Sequence, residues 1–314
     1  MSIKRQDRGG IASWIVLVSI LLLVGLAWVK RQEIYDWSRL RDYDPPQRIQ
    51  QLAFDTTMTR SATRLFYVYH PELNGRKEFN SNCSGFGEQT IVLGCYISNK
   101  GIFLFKIDDK RLDGVEQVTA AHEMLHAAYD RLSLQDRQWV DKITGEVLHG
   151  LKNERIKQTI ENYRMRDAAT VANEIHSIFG TELRDLPPEL EEYYKRYFVN
   201  RQAIVAYSER YETVLTSRRN RAASLELQIS GLKNEIEQLE KTLQAEKDLL
   251  ISSRSSVHTV QEADEYNNRV AAYNENINLL NAQISKHNKL VEEYQSVALE
   301  TQELYKALDS RPKL

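Results

Sequence analysis

From Pro188 to Leu250 the chain contains no further proline and a single glycine, Gly231. Apolar residues in its later part recur at alternating steps of four and three, at Leu225, Ile229, Leu232, Ile236, Leu239 and Leu243. That rhythm keeps one stripe on one side of an α-helix and defines a coiled-coil seam. A looser version runs upstream through Leu190, Tyr194, Tyr197, Ile204, Tyr211 and Leu215. Ile251 to Ala263, with Ser252-Ser253 and Ser255-Ser256, breaks the pattern. It resumes at Tyr266, Val270, Tyr273, Ile277, Leu280, Ile284, His287, Val291, Tyr294 and Ala298. Two helices of like period joined by a short polar break predict an antiparallel hairpin folded about Ser256, with Ala298 near Leu215. Each arm would be roughly 60–70 Å long at 1.5 Å per residue. Heptads do not fix strand number, so the seam is also a candidate surface for self-association or for a protein partner.

A second feature carries chemistry. His122-Glu123-Met124-Leu125-His126 places two imidazoles four residues apart, one turn above each other on the same helix face. Both can reach one small ion, and Glu123 beside the first is placed to hold a metal-bound water. This is the HExxH arrangement, for which Zn2+ is the usual metal. Val118, Thr119, Ala120, Ala121, Met124, Leu125, Ala127 and Ala128 are all uncharged, as expected of a helix carrying its ligands through a buried core. The stretch resembles the zincin metallopeptidases, whose extended motif asks for uncharged residues at these places. The resemblance covers about ten residues closely and the surrounding hundred loosely.

Zinc held by two histidines needs a third protein ligand and an open position. Glu174 is the first candidate. On a helix it shares a face with Val171, Ile175 and Ile178, where a carboxylate is costly unless paired or metal-bound. Asn173-Glu174-x-x-Ser177 also resembles the third-ligand helix of the gluzincins, where an N-E-x-x-S-D run supplies the glutamate. Ile178 stands where that family has Asp, so an orienting carboxylate has to come from elsewhere, with Asp130 and Asp167 as candidates. His176 and Glu182 are rival ligands, and a buried salt bridge is the competing reading of Glu174. The resemblance implies that Glu123 takes a proton from the zinc-bound water and passes it to the leaving amine. His176 and Tyr163 are the candidate oxyanion stabilisers. His70, His149, His258 and His287 have no comparable setting and read as surface or coil residues.

Near the start, Ile11 to Val29 is free of charge, preceded by Lys4, Arg5 and Arg8 and followed by Lys30 and Arg31. Its length just suffices for a transmembrane anchor, and Gly25-Leu26-Ala27 offers an alternative reading as an export signal with a cleavage site. Positive charge on both sides leaves the orientation open; the preferred one puts the soluble domain outside the cytoplasm. Asp44-Pro45-Pro46 is expected to end a helix continuing from the anchor. Lys plus Arg number 42 against 44 acidic residues, a net charge of −2 that argues against nucleic acid as a partner.

Arg64–His70, Gln89–Ser98 and Ile102–Asp108 read as strands, the last two joined by a turn at Ser98-Asn99-Lys100-Gly101. The last is, by the resemblance, a candidate cleft-bordering strand. The only cysteines, Cys83 and Cys95, read as a loop-closing disulfide in an exported protein and as free thiols in the cytosol. Helices are expected from Gly114 to Leu132, from Leu134 to Leu148 after a Ser133 cap, from Lys152 to Arg164 and from Ala168 to Leu183.

These elements predict an α+β fold: a zincin-like domain with a small antiparallel sheet beside the HExxH helix, an N-terminal transmembrane helix and a C-terminal antiparallel coiled-coil hairpin. The expected segments are a basic head (1–10), the anchor (11–29), a juxtamembrane linker (30–48), the metallopeptidase domain (49–204) and the hairpin (205–314). The function implied is a membrane-anchored zinc metallopeptidase acting on protein or peptide outside the cytoplasm. The alternative is a non-enzymatic coiled-coil envelope scaffold with a structural or decayed zinc site. The intact Glu123 favours the enzyme, since a structural site needs no general base.

Overall fold

A computed structural model of the chain describes residues 8–83 and 92–311, with side chains from residue 14 onward. Most of the basic head, and residues 84–91 with the first part of the expected strand Gln89–Ser98, lie outside the described residues. The elements in order are α1 (Arg8–Val29), α2 (Arg31–Leu40), α3 (Gln47–Asp55), α4 (Arg60–Val68), β1 (Glu72–Asn74), α5 (Arg76–Asn82), β2 (Gly94–Ile97), β3 (Gly101–Phe105), α6 (Val115–Asp130), α7 (Leu134–Gly150), α8 (Glu154–Arg166), α9 (Val171–Glu182), α10 (Pro188–Tyr194), α11 (Arg201–Ser253) and α12 (Val260–Leu308). Two units divide the chain: Met1–Asp108 with Asp113–Arg210 and Ser310–Leu314, and Asp109–Leu112 with Tyr211–Asp309.

The expected α+β class is corrected by this architecture, which is 77% helical with 5% strand. The expected strand Arg64–His70 is one such difference: it is helical through Val68. Its β-branched and aromatic composition suggests a strand, but Ala62, Leu65, Phe66 and Tyr69 recur at helical spacing and are buried, together with Val68. Thr59 Oγ1 accepts the Ala62 N–H at 3.2 Å and starts the helix. What strand remains is a three-stranded sheet in the order β1-β3-β2. It is mixed, not antiparallel: β1 runs parallel to β3, pairing Glu72 with Phe103, and β2 runs antiparallel to it, pairing Cys95 with Phe103. β1 has too little β-branched character to be read from sequence.

The expected transmembrane helix is also corrected. Among the described residues no single helix is long and apolar enough to cross a membrane; Trp14–Val29 and Arg31–Leu40 meet that test only together, as a pair bent by 66°. The helix that follows is no loose linker. Arg131, at the end of α6, donates to both carboxylate oxygens of Asp36 at 2.9 Å, and Arg39 donates to the Val68 carbonyl at 3.1 Å.

The core of the first unit is built around α6. Ala120, Ala121, Met124, Leu125, Ala127 and Ala128 are all buried, which explains the uncharged flanks of the histidine motif. α3, α4, α9, β2 and β3 pack around this helix. α9 comes unusually close because it carries Gly180 at the contact: a Cβ there would lie 2.4 Å from Leu125 Cδ1 and 2.8 Å from Tyr194 Cε1. The far end of α9 is held by Arg201. Its guanidinium is buried and donates to the carbonyls of Phe179 (3.2 Å), Leu183 (2.6 Å) and Arg184 (2.9 Å), groups that a helix end leaves without partners. Glu191 neutralises that buried charge at 2.7 Å.

The helix read as continuous from Pro188 is interrupted after Tyr194. There the chain turns aside to pair with the segment before α4: Thr59 N–H donates to the Tyr197 carbonyl, Val199 N–H donates to the Thr57 carbonyl, and Met58 bridges Phe198. In the second unit α11 and α12 lie antiparallel, with Arg218 paired to Glu300 at 3.1 Å and Arg221 paired to Glu293. Leu225, Leu232, Leu243 and Leu250 are buried on one helix, and Val297 and Leu304 on the other, where Val297 rather than the neighbouring Ala298 faces inward. Thr259 restarts the helix with a reciprocal capping box to Glu262.

Gly180→Val is expected to lower stability by about 1–3 kcal/mol through overpacking against Leu125 and Tyr194, read as a fall in the urea midpoint at unchanged slope.

Candidate metal centre

α6 presents His122 and His126 on one face, with ring centroids 4.7 Å apart and planes at 81°. α9 brings Glu174 against them. Its Oε2 lies 3.5 Å from His122 Nε2 and 3.7 Å from His126 Nε2. Ligands about 2.0–2.1 Å from a tetrahedral ion are about 3.3–3.4 Å from one another, close to the two separations between Glu174 Oε2 and the histidine nitrogens. Glu174 Oε2 is buried and has no hydrogen-bond partner of normal length. A desolvated carboxylate oxygen left between two imidazole nitrogens is a costly arrangement that a cation satisfies. The cluster could therefore hold a metal ion.

The tautomer needed for binding is also prepared. Asn173 Oδ1 lies 2.9 Å from His126 Nδ1, and Ser177 Oγ lies 3.3 Å from the same nitrogen. An N–H at Nδ1 donating to the Asn173 oxygen leaves the Nε2 lone pair facing Glu174. Asp130 and Asp167 were the candidates for this orienting role. Asn173 and Ser177 perform it for His126, lying about one turn apart on α9 on either side of Glu174 in sequence. Ile178, the departure from the gluzincin pattern, is simply a core residue, 1% exposed.

Glu123 projects beside this set; its carboxylate and the donor nitrogens of His122 and His126 lie within 4.8 Å of one another. Two constraints hold it. The backbone N–H of Tyr96 in β2 hydrogen-bonds its carboxylate. Gly94, two residues earlier, passes so close that a Cβ would lie 2.6 Å from Glu123 Oε1 and 2.5 Å from Thr119 Cγ2. The strand bordering the site is thus β2. Ile102–Asp108, the candidate from sequence, contributes the central strand β3, whose two edges are taken by β1 and β2. Burial pushes the Glu123 carboxyl from 4.5 up to about 7, with the Glu174 charge adding to the rise and His126 and the Tyr96 N–H opposing it. Burial acts on Glu174 in the same direction, but His122, His126 and Arg166 outweigh it and hold that group below the usual carboxylate range. The two neighbouring carboxyls are thus shifted in opposite directions, Glu174 toward the ionised form and Glu123 toward the protonated one.

The remaining expected residues separate. Tyr163 is largely buried, and burial followed by the charges of Glu174 and Glu123 raises its pKa, so its hydroxyl stays protonated and within the field of the site. His176 is fully buried on another face of α9, with Nε2 3.0 Å from the Tyr193 hydroxyl and its ring against Tyr129, Tyr193 and Tyr194. Burial lowers its pKa to about 3, with His126 and His122 adding to the effect. It is a neutral core residue, out of reach of an oxyanion. Glu182 is paired with Arg155 at 2.8 Å. His70 is structural, its Nε2 2.6 Å from the Arg39 carbonyl and its ring stacked on Tyr43. Cys83 and Cys95 are joined as a disulfide that fastens the end of α5 to β2, between the two strand residues that touch Glu123.

Comparison of the chain with family models, with curated proteins and with solved structures finds no match.

Two outcomes are expected. A carboxyl whose folded pKa is raised binds its proton more tightly when folded, so it costs stability as pH rises from about 4.5 to 7. In metal-free protein Glu123→Gln should therefore be more stable than wild type at pH 8, by up to about 3 kcal/mol. The difference should vanish near pH 4.5, read by thermal melts across pH. Asn173→Ala should weaken zinc binding about 10–100-fold without unfolding the chain, measured by competition with a chromophoric chelator.

Proposed function

We propose that the chain is a zinc-dependent peptide hydrolase. The observation that carries this reading is the pairing of a prepared ligand trio with a separate, proton-exchanging Glu123. A metal site serving only structure has use for the first and none for the second. His122, His126 and Glu174 hold the ion, and Asn173 and Ser177 keep the His126 ring turned toward it. Bound zinc supplies Lewis acidity, lowering the pKa of water and polarising a substrate carbonyl. Glu123 accepts the proton of the attacking water and delivers it to the leaving amine, a task suited to a carboxyl that titrates near neutrality. The Tyr96 N–H and the close approach of Gly94 keep that carboxylate from swinging away. Tyr163 is the donor for the oxyanion, since its hydroxyl remains protonated and shares the field of both glutamates.

The disulfide supports an oxidising, extracytoplasmic compartment for this domain, where such a bond persists. The α11–α12 hairpin supports a second task, docking of a protein partner along its exposed helical faces.

The test is elemental analysis of the purified chain beside digestion of a mixed peptide library followed by mass spectrometry. About one zinc per chain is expected, lost in His122→Ala and Glu174→Ala and kept in Glu123→Gln. Cleavage should be abolished by all three substitutions. Tyr163→Phe should lower kcat by about 10–1,000-fold with zinc retained. Wild-type protein that takes up no zinc after reconstitution refutes the proposal.

A further inference from the structure

The Glu123 carboxylate is held from one side by β2, so what holds β2 decides where that carboxylate lies. β2 takes an outer position in the sheet and is four residues long. Its ladder is one-sided. The Phe105 N–H donates to the Leu93 carbonyl at 2.8 Å, so Leu93 and Cys95 turn their backbone groups to β3. Gly94 and Tyr96 alternate with them and turn theirs away, toward α6. There the Tyr96 N–H meets Glu123, and a Cβ on Gly94 would lie 2.6 Å from Glu123 Oε1. Val92 belongs to the same outward set. Its carbonyl is taken by the Ser310 hydroxyl, which donates to it at 2.6 Å across 218 residues of sequence.

The chain leaves the first unit after Arg210, runs through the hairpin and re-enters at Ser310. On its return Ser310 is 3% exposed, and its carbonyl accepts from Asn80 Nδ2 on α5 at 2.6 Å. Asn80 is itself fixed by donating to the Arg76 carbonyl at 2.7 Å. α5 leads into Cys83, which is joined to Cys95 in β2, and Phe79 of α5 packs with both cysteines, Phe103 and Phe105. One serine therefore bridges α5 to the segment entering β2, alongside the disulfide. We propose that Ser310 is a positioning residue: it straps β2 to α5 and so fixes the strand that places Glu123. The effect on the strand follows from this geometry alone, and the effect on catalysis rests on the peptide hydrolase reading above. A short outer strand with ladder bonds on one side opens locally at low cost. A buried serine with both its hydroxyl and its carbonyl engaged opposes that opening, because parting β2 from α5 leaves buried polar groups without partners. His122, His126 and Glu174 come from α6 and α9, so the strap acts on the proton-transfer group and leaves the ligand trio alone.

The experiment uses the full chain. Hydrogen exchange at the Tyr96 amide is followed by NMR in wild type, Ser310→Ala and Ser310→Thr, with the buried Leu125 amide of α6 as the reference for wider unfolding. Ser310→Ala should speed Tyr96 exchange about tenfold and leave Leu125 unchanged. Ser310→Thr, which keeps the hydroxyl, should return Tyr96 to the wild-type rate. Zinc content should be the same in each protein. On a cleaved peptide Ser310→Ala should lower kcat about tenfold at unchanged KM, and Ser310→Thr should restore it. Unchanged Tyr96 exchange in Ser310→Ala, or a rise shared equally by Leu125, overturns the strap. Faster Tyr96 exchange with wild-type kcat overturns the role in positioning Glu123. Wild-type protein that cuts nothing refutes the hydrolase reading, and the exchange rates then decide the strap by themselves.

Discussion

The structure depends on the contact of α6 with α9, and at its centre a carboxylate oxygen of Glu174 is buried between two imidazoles without a hydrogen bond. Taken alone, that placement opposes folding, because a desolvated charge needs compensation. The helices are nevertheless driven together by what surrounds it. Small residues on α6, Gly180 on α9 and the buried Leu125 and Tyr194 allow the two backbones to approach closely. Arg201 then neutralises the carbonyl end of α9. Apolar packing thus holds the polar atoms where they are expensive, a cost that a bound cation would offset.

The same logic separates the two glutamates. Both are taken from water, which raises the pKa of each. Glu174 faces both histidines and Arg166, and their positive field returns it to the ionised state. Glu123 lies beside the border strand, shielded by Gly94 and Thr119, with the Tyr96 N–H as its backbone partner and the Glu174 charge acting against it. Position relative to a few neighbours, rather than residue type, sets the two carboxyls' pKa values apart.

Reading from sequence went furthest where the signal is local. His122 and His126 stand one helical turn apart by spacing alone, with Glu123 next to the first, and the helix bearing them runs close to the expected limits, with Gly114 before it and Ser133 capping the next. The steps of four and three in the last third correspond to buried Leu225, Leu232 and Leu243. Glu174 was legible through its apolar neighbours. Arg64–His70 was misread because side-chain type and helical spacing disagree there, and burial follows the spacing. The small sheet was misjudged because β1 is three residues long and pairs in parallel with a strand distant in sequence. Asn173 escaped because a neutral amide beside a candidate ligand gives no charge signal.

By itself the sequence determined the periodic helices, the histidine–glutamate motif and the apolar setting of Glu174, since each depends on residues within a few turns of one another. Tertiary structure alone decided that β2 borders the site, that Asn173 and Ser177 orient His126, that His176 is withdrawn into a tyrosine-rich core, and that Arg166 lies over Tyr163. These relations join residues from separate elements, and burial, hydrogen-bond direction and field strength exist only once the elements are packed.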